Sequence, residues 1–144
     1  MDLSVKSEYA LRAVFDLAGR DVSRPVKIAD IAQRQEIPQK FLELILAQLK
    51  QGGFLGSRRG ADGGYFLAQP ATKITVGAVL RHVEGSLSPN HRLHRNKMPK
   101  SSPFPDLWDQ VERALSSVID QTTFADLVER WREKNVQQAA NWEI

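Results

Sequence analysis

The stretch IADIAQRQEIPQKFLELILAQLKQGG, residues 28–53, decides the fold, because it holds two amphipathic helices with only a short turn between them. In the first, downstream of Pro25, Ile28, Ile31 and Ala32 share one face. The second begins near Pro38, a residue suited to a first helical turn, and repeats Leu42, Ile45, Leu46 and Leu49 at i, i+3, i+4 and i+7. That spacing buries one side and leaves Gln39, Lys40, Glu43, Ala47 and Lys50 on the other, with Gly52 and Gly53 ending the helix. A helix-turn-helix needs a small residue where its helices touch, an apolar residue closing the turn, and inward apolar anchors on the second helix. Ala32, Ile37, Leu42 and Ile45 meet those needs in order. The usual turn glycine is replaced by Glu36, which predicts a slightly different turn. Any small helical bundle shows similar spacing, so the flanking sequence has to decide.

Directly downstream, Phe54–Arg58 and Tyr65–Ala68 are strand-like runs around the glycine-rich segment RGADGG, residues 59–64. Three helices followed by a two-stranded hairpin is the winged-helix order. Arg58, Arg59 and Gly60 sit at the hairpin tip, where arginine can enter a narrow minor groove and glycine lets the backbone come close. The same hairpin would also serve as a solvated surface feature; its position after the helix pair favours the DNA-contacting role.

The first helix of the three spans Ser4 to Ala18, with Ser4 as N-cap and Gly19 as stop. Its charges at Glu8, Arg12, Asp16 and Arg20 form a single stripe, and Tyr9, Leu11, Val14, Phe15 and Leu17 make the rest apolar. Such a helix needs cover on several sides, from its own domain, with a second subunit as a further candidate. Thr75 caps a fourth helix, Val76 to Glu84, with Val76, Val79, Leu80 and Val83 as its buried stripe. Residues 85–105 carry four of the seven prolines, four Lys or Arg side chains and two histidines, and are expected to be a loop. A fifth helix is expected from Asp106 to about Gln121, with Leu107, Val111, Leu115, Val118 and Ile119 on one face and Trp108 beside it. Thr123 and Asp126 have capping-box spacing and open a sixth helix reaching about Lys134, with a loosely held tail beyond.

Composition limits the functions available. The 144 residues contain no cysteine, which removes disulfides, thiolate metal sites, iron-sulfur ligation and thiol catalysis together. The three histidines do not compensate, since His91 and His94 fall in the basic loop without carboxylates or a rigid frame, so no metal or cofactor is expected. No serine-histidine-acid set or phosphate loop stands out, and an enzyme is not expected. No apolar stretch is long enough to cross a bilayer and the first residues lack a secretory apolar run, so a cytoplasmic location is expected. Lys and Arg outnumber Asp and Glu by 10 to 8 over residues 1–70 and 6 to 1 over 71–105, but are outnumbered 4 to 8 over 106–144. The front of the chain therefore suits a polyanion, and the acidic end is better placed away from one.

At LSVKSEYALRA (3–13), IADIA (28–32), FLELIL (41–46), RGADGGYFL (59–67) and ITVGAVLRHVEG (74–85) the chain resembles the Rrf-two family of winged-helix transcription regulators. The resemblance implies a mainly α fold with a small β-hairpin: a winged helix-turn-helix DNA-binding domain over 1–85, a loop over 86–105, a helical dimerisation region over 106–134 and a tail over 135–144. It also implies a homodimer on a near-palindromic operator of double-stranded DNA, with the long C-terminal helix of one subunit crossing onto the other. Leu107, Trp108, Val111, Leu115, Val118 and Ile119 are the candidate contacts of that helix. Gln39, Lys40 and Glu43 are the residues the resemblance places toward the major groove; there Glu43 would accept from a cytosine amino group, or, as an exposed helix residue, pair with Lys40 or Lys50. Several members sense redox change through cysteines in the loop corresponding to 85–105, and this chain has none. It resembles instead the cysteine-free type of member that represses cysteine metabolism and is controlled by complex formation with a cysteine synthase, the O-acetylserine sulfhydrylase. The ending Trp142-Glu143-Ile144 then resembles the tail such a sulfhydrylase captures, as much as it resembles a frayed end.

Overall fold

The computed structural model describes residues 3–20, 23–88 and 98–142, the side chains of 141 and 142 aside. Among these are six helices and one antiparallel two-stranded hairpin: α1 (Val5–Ala18), α2 (Ile28–Gln35), α3 (Gln39–Gln51), β1 (Leu55–Arg58), β2 (Gly64–Leu67), α4 (Val76–Glu84), α5 (Phe104–Ile119) and α6 (Phe124–Trp142). The mainly α fold with a winged helix-turn-helix is thus as expected.

α1 is the axis of the core. Ser4 Oγ accepts from the Ser7 amide at 3.1 Å and caps it, and Glu84 at the end of α4 accepts from the Ser4 amide at 3.1 Å and from the Ser7 hydroxyl at 2.7 Å. Ala10, Ala13 and Val14 are fully buried, and against them pack Ile31 of α2, Leu42, Leu46 and Leu49 of α3, and Val79 of α4. The small alanines let neighbouring helices approach α1 closely.

Glu36 takes the left-handed conformation, φ 54° and ψ 48°, at the end of α2, and the Ile37 amide then bonds back to the Ala32 carbonyl at 3.0 Å. The turn therefore keeps the geometry a glycine would give, at the cost of forcing a side chain into αL. Glu36→Gly is expected to raise stability by up to about 1 kcal/mol, the αL relief less the added entropy of an unfolded glycine. Urea titration checks this, and a loss of stability would contradict it.

β1 and β2 pair with Leu55 opposite Leu67 and Ser57 opposite Tyr65. The segment before α2 joins them, because Val26 and Tyr65 exchange both backbone hydrogen bonds at 2.8 Å. At Gly64, φ is +151° and any Cβ would collide with the Val26 carbonyl, so this junction requires glycine.

The C-terminal helices return to the same core. The Val76 amide donates to the Thr122 carbonyl at 2.9 Å, the Phe124 amide donates to the Ile74 carbonyl at 3.0 Å, and the Phe124 ring is fully buried. The expected capping box forms, with Asp126 accepting from the Thr123 amide at 3.0 Å and Thr123 Oγ1 accepting from the Asp126 amide at 3.1 Å. Those bonds favour the ionised Asp126 and hold its carboxyl below the ordinary range.

Three expectations need correction. α5 starts at Phe104, with Pro105 in its first turn, and ends at Ile119 rather than Gln121. α6 continues to Trp142 instead of stopping near Lys134, because Val136, Gln137, Gln138, Ala139 and Ala140 include no Gly or Pro and mostly favour helix. And α1 obtains much of its cover from its own chain, since α6 packs on it, burying Val128 and setting the Trp131 ring edge-on to Phe15 at 6.2 Å. The apolar character of α1 is therefore no separate argument for a second subunit. His91, His94, Glu143 and Ile144 lie outside the described residues. Among the described residues no helix is long and apolar enough to cross a membrane.

Candidate nucleic-acid interface

The two faces of α3 separate as its spacing predicts. Leu42, Ile45, Leu46 and Leu49 are buried, and Gln39, Lys40, Glu43, Ala47 and Lys50 are exposed. One flank differs from expectation: Phe41 and Leu44 are also exposed and, with Val5 and Tyr9 of α1, line an apolar groove of about 480 Å³. The groove borders the polar face without belonging to it.

The wing is fixed to the end of this helix. Lys50 Nζ donates to Ser57 Oγ on β1 at 2.6 Å, which links helix and wing and leaves two ammonium hydrogens for another acceptor. Arg58, Arg59 and Gly60 follow directly, all exposed, with Gly60 at φ +107°. Exposed Arg24 and Lys27, from the segment leading into α2, meet Arg58 around one shallow depression that also carries Asp62. Sequence reasoning passed over Arg24 and Lys27, because only the Val26–Tyr65 pairing brings them beside the wing.

The surface is electrostatically available. Among the described residues the ion pairs join Glu8 to Arg12, Asp16 to Arg20 and Arg34, and Arg81 to Asp120. None involves Lys40, Glu43, Arg58 or Arg59, so the pairing of Glu43 with Lys40 or Lys50 weighed from the sequence is not found. Uncompensated cations at a helix end and wing tip present the pattern that attracts phosphates.

A buried network sets the tilt of the helix pair. Asp16, which the spacing assigns to a surface stripe, has no exposed side-chain area; its carboxylate accepts from Arg34 Nε at 3.0 Å, Arg34 Nη2 at 2.8 Å and Gln35 Nε2 at 3.1 Å. The hydrogen bonds to Asp16 hold the Arg34 guanidinium above its ordinary range. α1 thereby grips the last turn of α2 just before the Glu36 turn, which positions α3.

α5 shows two sides. Phe104, Leu107, Val111 and Val118 are exposed at spacings of three, four and seven, whereas Trp108, Leu115 and Ile119 are half-buried, and the helix packs on α4. Arg81 of α4 reaches Asp120 and donates to Ser116 Oγ at 2.9 Å, anchoring this second side. Within the single chain the stripe is thus split by exposure alone, and Phe104, stacked on Trp108 at 6.3 Å, adjoins it.

Comparison with known proteins places this geometry. A family model described as "Rrf2: Iron-dependent Transcriptional regulator" matches residues 3–130. A chain of Mycobacterium tuberculosis named among the HTH-type transcriptional regulators is 36% identical over 144 residues, covering 98% of this chain and 89% of that one. HTH-type transcriptional regulator CymR of Bacillus subtilis is 33% identical over 127 residues, covering 88% and 89%. The solved structure of CymR (YrzC), titled the global cysteine regulator of B. subtilis, superposes with a TM-score of 0.78 at 30% identity, covering 90% of this chain and 98% of that one. T. potens IscR superposes with a TM-score of 0.79 at 34% identity, covering 93% and 90%. Among the described residues no donor set fits an iron centre. The chain has no thiolate to offer, His82 Nε2 is engaged with the Gln48 carbonyl at 2.8 Å, and the described residues include no cluster of three or more metal-ligating side chains.

Proposed function

The chain belongs to the Rrf2 family of transcriptional regulators, and from that premise we propose that it binds a near-palindromic operator as a homodimer and represses genes of sulfur and cysteine metabolism without an iron-sulfur cluster. One observation carries the DNA reading: the polar face of α3 and the Arg58–Arg59 tip are exposed together and joined by the Lys50–Ser57 bond.

In this reading Gln39, Lys40 and Glu43 meet base edges in the major groove, with Ala47 allowing close approach. Glu43 carries most of the discrimination, because a carboxylate beside phosphates is unfavourable unless it accepts from a cytosine amino group. Arg58 and Arg59 reach the adjacent backbone or minor groove, and Gly60 lets the tip come close. Lys50 supports them through Ser57. The dimer forms through Leu107, Val111 and Val118, joined by Phe104, with Trp108, Leu115 and Ile119 shaping the helix beneath. Two recognition helices then lie about one DNA turn apart, roughly 34 Å, or a multiple of it.

Cysteine metabolism as the regulon rests on the likeness to CymR, and a cysteine synthase as protein partner rests on the resemblance of Trp142-Glu143-Ile144 to a captured tail. Co-purification with the sulfhydrylase should be lost when Ile144 is deleted; undiminished capture would refute the tail's role. The central test is selection of bound sequences from random duplex DNA by the purified protein. The expected product is a two-half-site consensus with cytosine opposite Glu43, whereas recovery of no consensus would refute sequence-specific binding.

A further inference from the structure

A cavity separate from the α3 face opens where the end of α1, the end of α2 and the middle of α6 meet, with a volume of about 360 Å³. Its walls carry three guanidinium groups, Arg20, Arg34 and Arg132, against one carboxylate, Asp16. Asp16 has no exposed side-chain area and already accepts three hydrogen bonds from Arg34 and Gln35, so its carboxylate is not presented to a ligand. Arg34 uses Nε and Nη2 on Asp16, which leaves Nη1 for another partner. Arg20 keeps only a loose contact with Asp16 at 3.9 Å, and Arg132 takes part in none of the ion pairs among the described residues. The remaining wall is aromatic: Phe15 and, edge-on to it, Trp131, which is 53% exposed on an otherwise polar stretch of α6.

We propose that this cavity binds a small organic anion bearing a flat apolar group. Guanidinium forks match the planar oxygens of a carboxylate and the oxygens of a phosphate, and several converging on one cavity neutralise an anionic head that any one alone would hold weakly. The ring of the ligand lies along Trp131 and Phe15 and removes their exposed apolar surface from water. The volume falls within the range of small-molecule sites. Because Arg34 and Gln35 belong to the first helix of the DNA-reading pair, such a ligand would act on α2 and α6 at once, although its binding does not depend on the chain's contact with DNA.

The test is titration calorimetry of the full chain without DNA, using 2-naphthoate and 2-naphthyl phosphate as two anionic heads on one ring, and neutral 2-naphthamide as control. At least one anion should bind and the amide should bind at least about tenfold more weakly, the loss expected when a charge-assisted contact is removed. Whichever anion binds identifies the head group. Arg132→Ala and Arg20→Ala should each weaken that anion by roughly tenfold, and Lys73→Ala, an equal loss of charge on an exposed turn elsewhere, should leave it unchanged. Failure of both anions to bind, equal binding of the amide, or full binding to both arginine variants would overturn the proposal.

Discussion

A chain carrying Val111→Asp together with Val118→Asp is expected to stay folded, to sediment as a monomer, and to lose at least about 100-fold in affinity for a duplex with two half-sites. Both side chains are exposed, 42% and 62%, so neither substitution opens a core. They lie on the outward half of α5, where Phe104 and Leu107 extend an apolar stripe that the chain itself leaves uncovered. Charges facing each other across such a stripe would repel and stay hydrated, which outweighs its hydrophobic gain. The second half-site then ceases to bind at high effective concentration, and that concentration effect is the source of the loss. An unchanged sedimentation coefficient with unchanged affinity would show that α5 does not hold the dimer.

The second large effect belongs to the wing. Arg58→Ala with Arg59→Ala should weaken operator binding by at least about 150-fold per protomer at low salt, since each charge-assisted contact contributes about 1.5 kcal/mol or more. The slope of log affinity against log salt should become shallower by about 2 per protomer if both meet phosphate, at roughly 0.9 per contact. Neither side chain takes part in an ion pair among the described residues, so the loss would not reflect a broken internal contact. Glu43→Ala should behave differently, changing which base is preferred at one position while leaving the salt slope close to its original value. Identical salt slopes for wild type and the double arginine variant would place the wing away from the DNA.

The parts of the molecule legible in the sequence are those written in local spacing. The repeat of Leu42, Ile45, Leu46 and Leu49 orients α3 without reference to anything else, and with it the exposure of Gln39, Lys40, Glu43 and Ala47. Ser4, Thr75 and the Thr123–Asp126 pair act over three residues, and their caps form as read. What escaped is set by distant partners. Asp16 continues the i, i+4 charge stripe in sequence, and only Arg34 and Gln35, 18 and 19 residues on, make its burial tolerable. Phe124 is indistinguishable by local pattern from a surface-helix residue until Ile74 pairs with its backbone and draws it into the core. Lys50 holds the exposed helical position its spacing gives, but its bond to Ser57 across the turn is not written in that spacing. The split of the α5 stripe depends on Arg81 anchoring Ser116 and Asp120 to α4.

Amide chemical-shift mapping on the intact protein tests most directly whether the polar side of α3 and the wing engage one duplex together. With a duplex recovered by selection, the amides of residues 39–50 and 57–64 should shift in step at a single stoichiometry, while those on the outward half of α5 stay in place. Shifts confined to one of the two segments, or centred on α5 with both unmoved, would contradict the account.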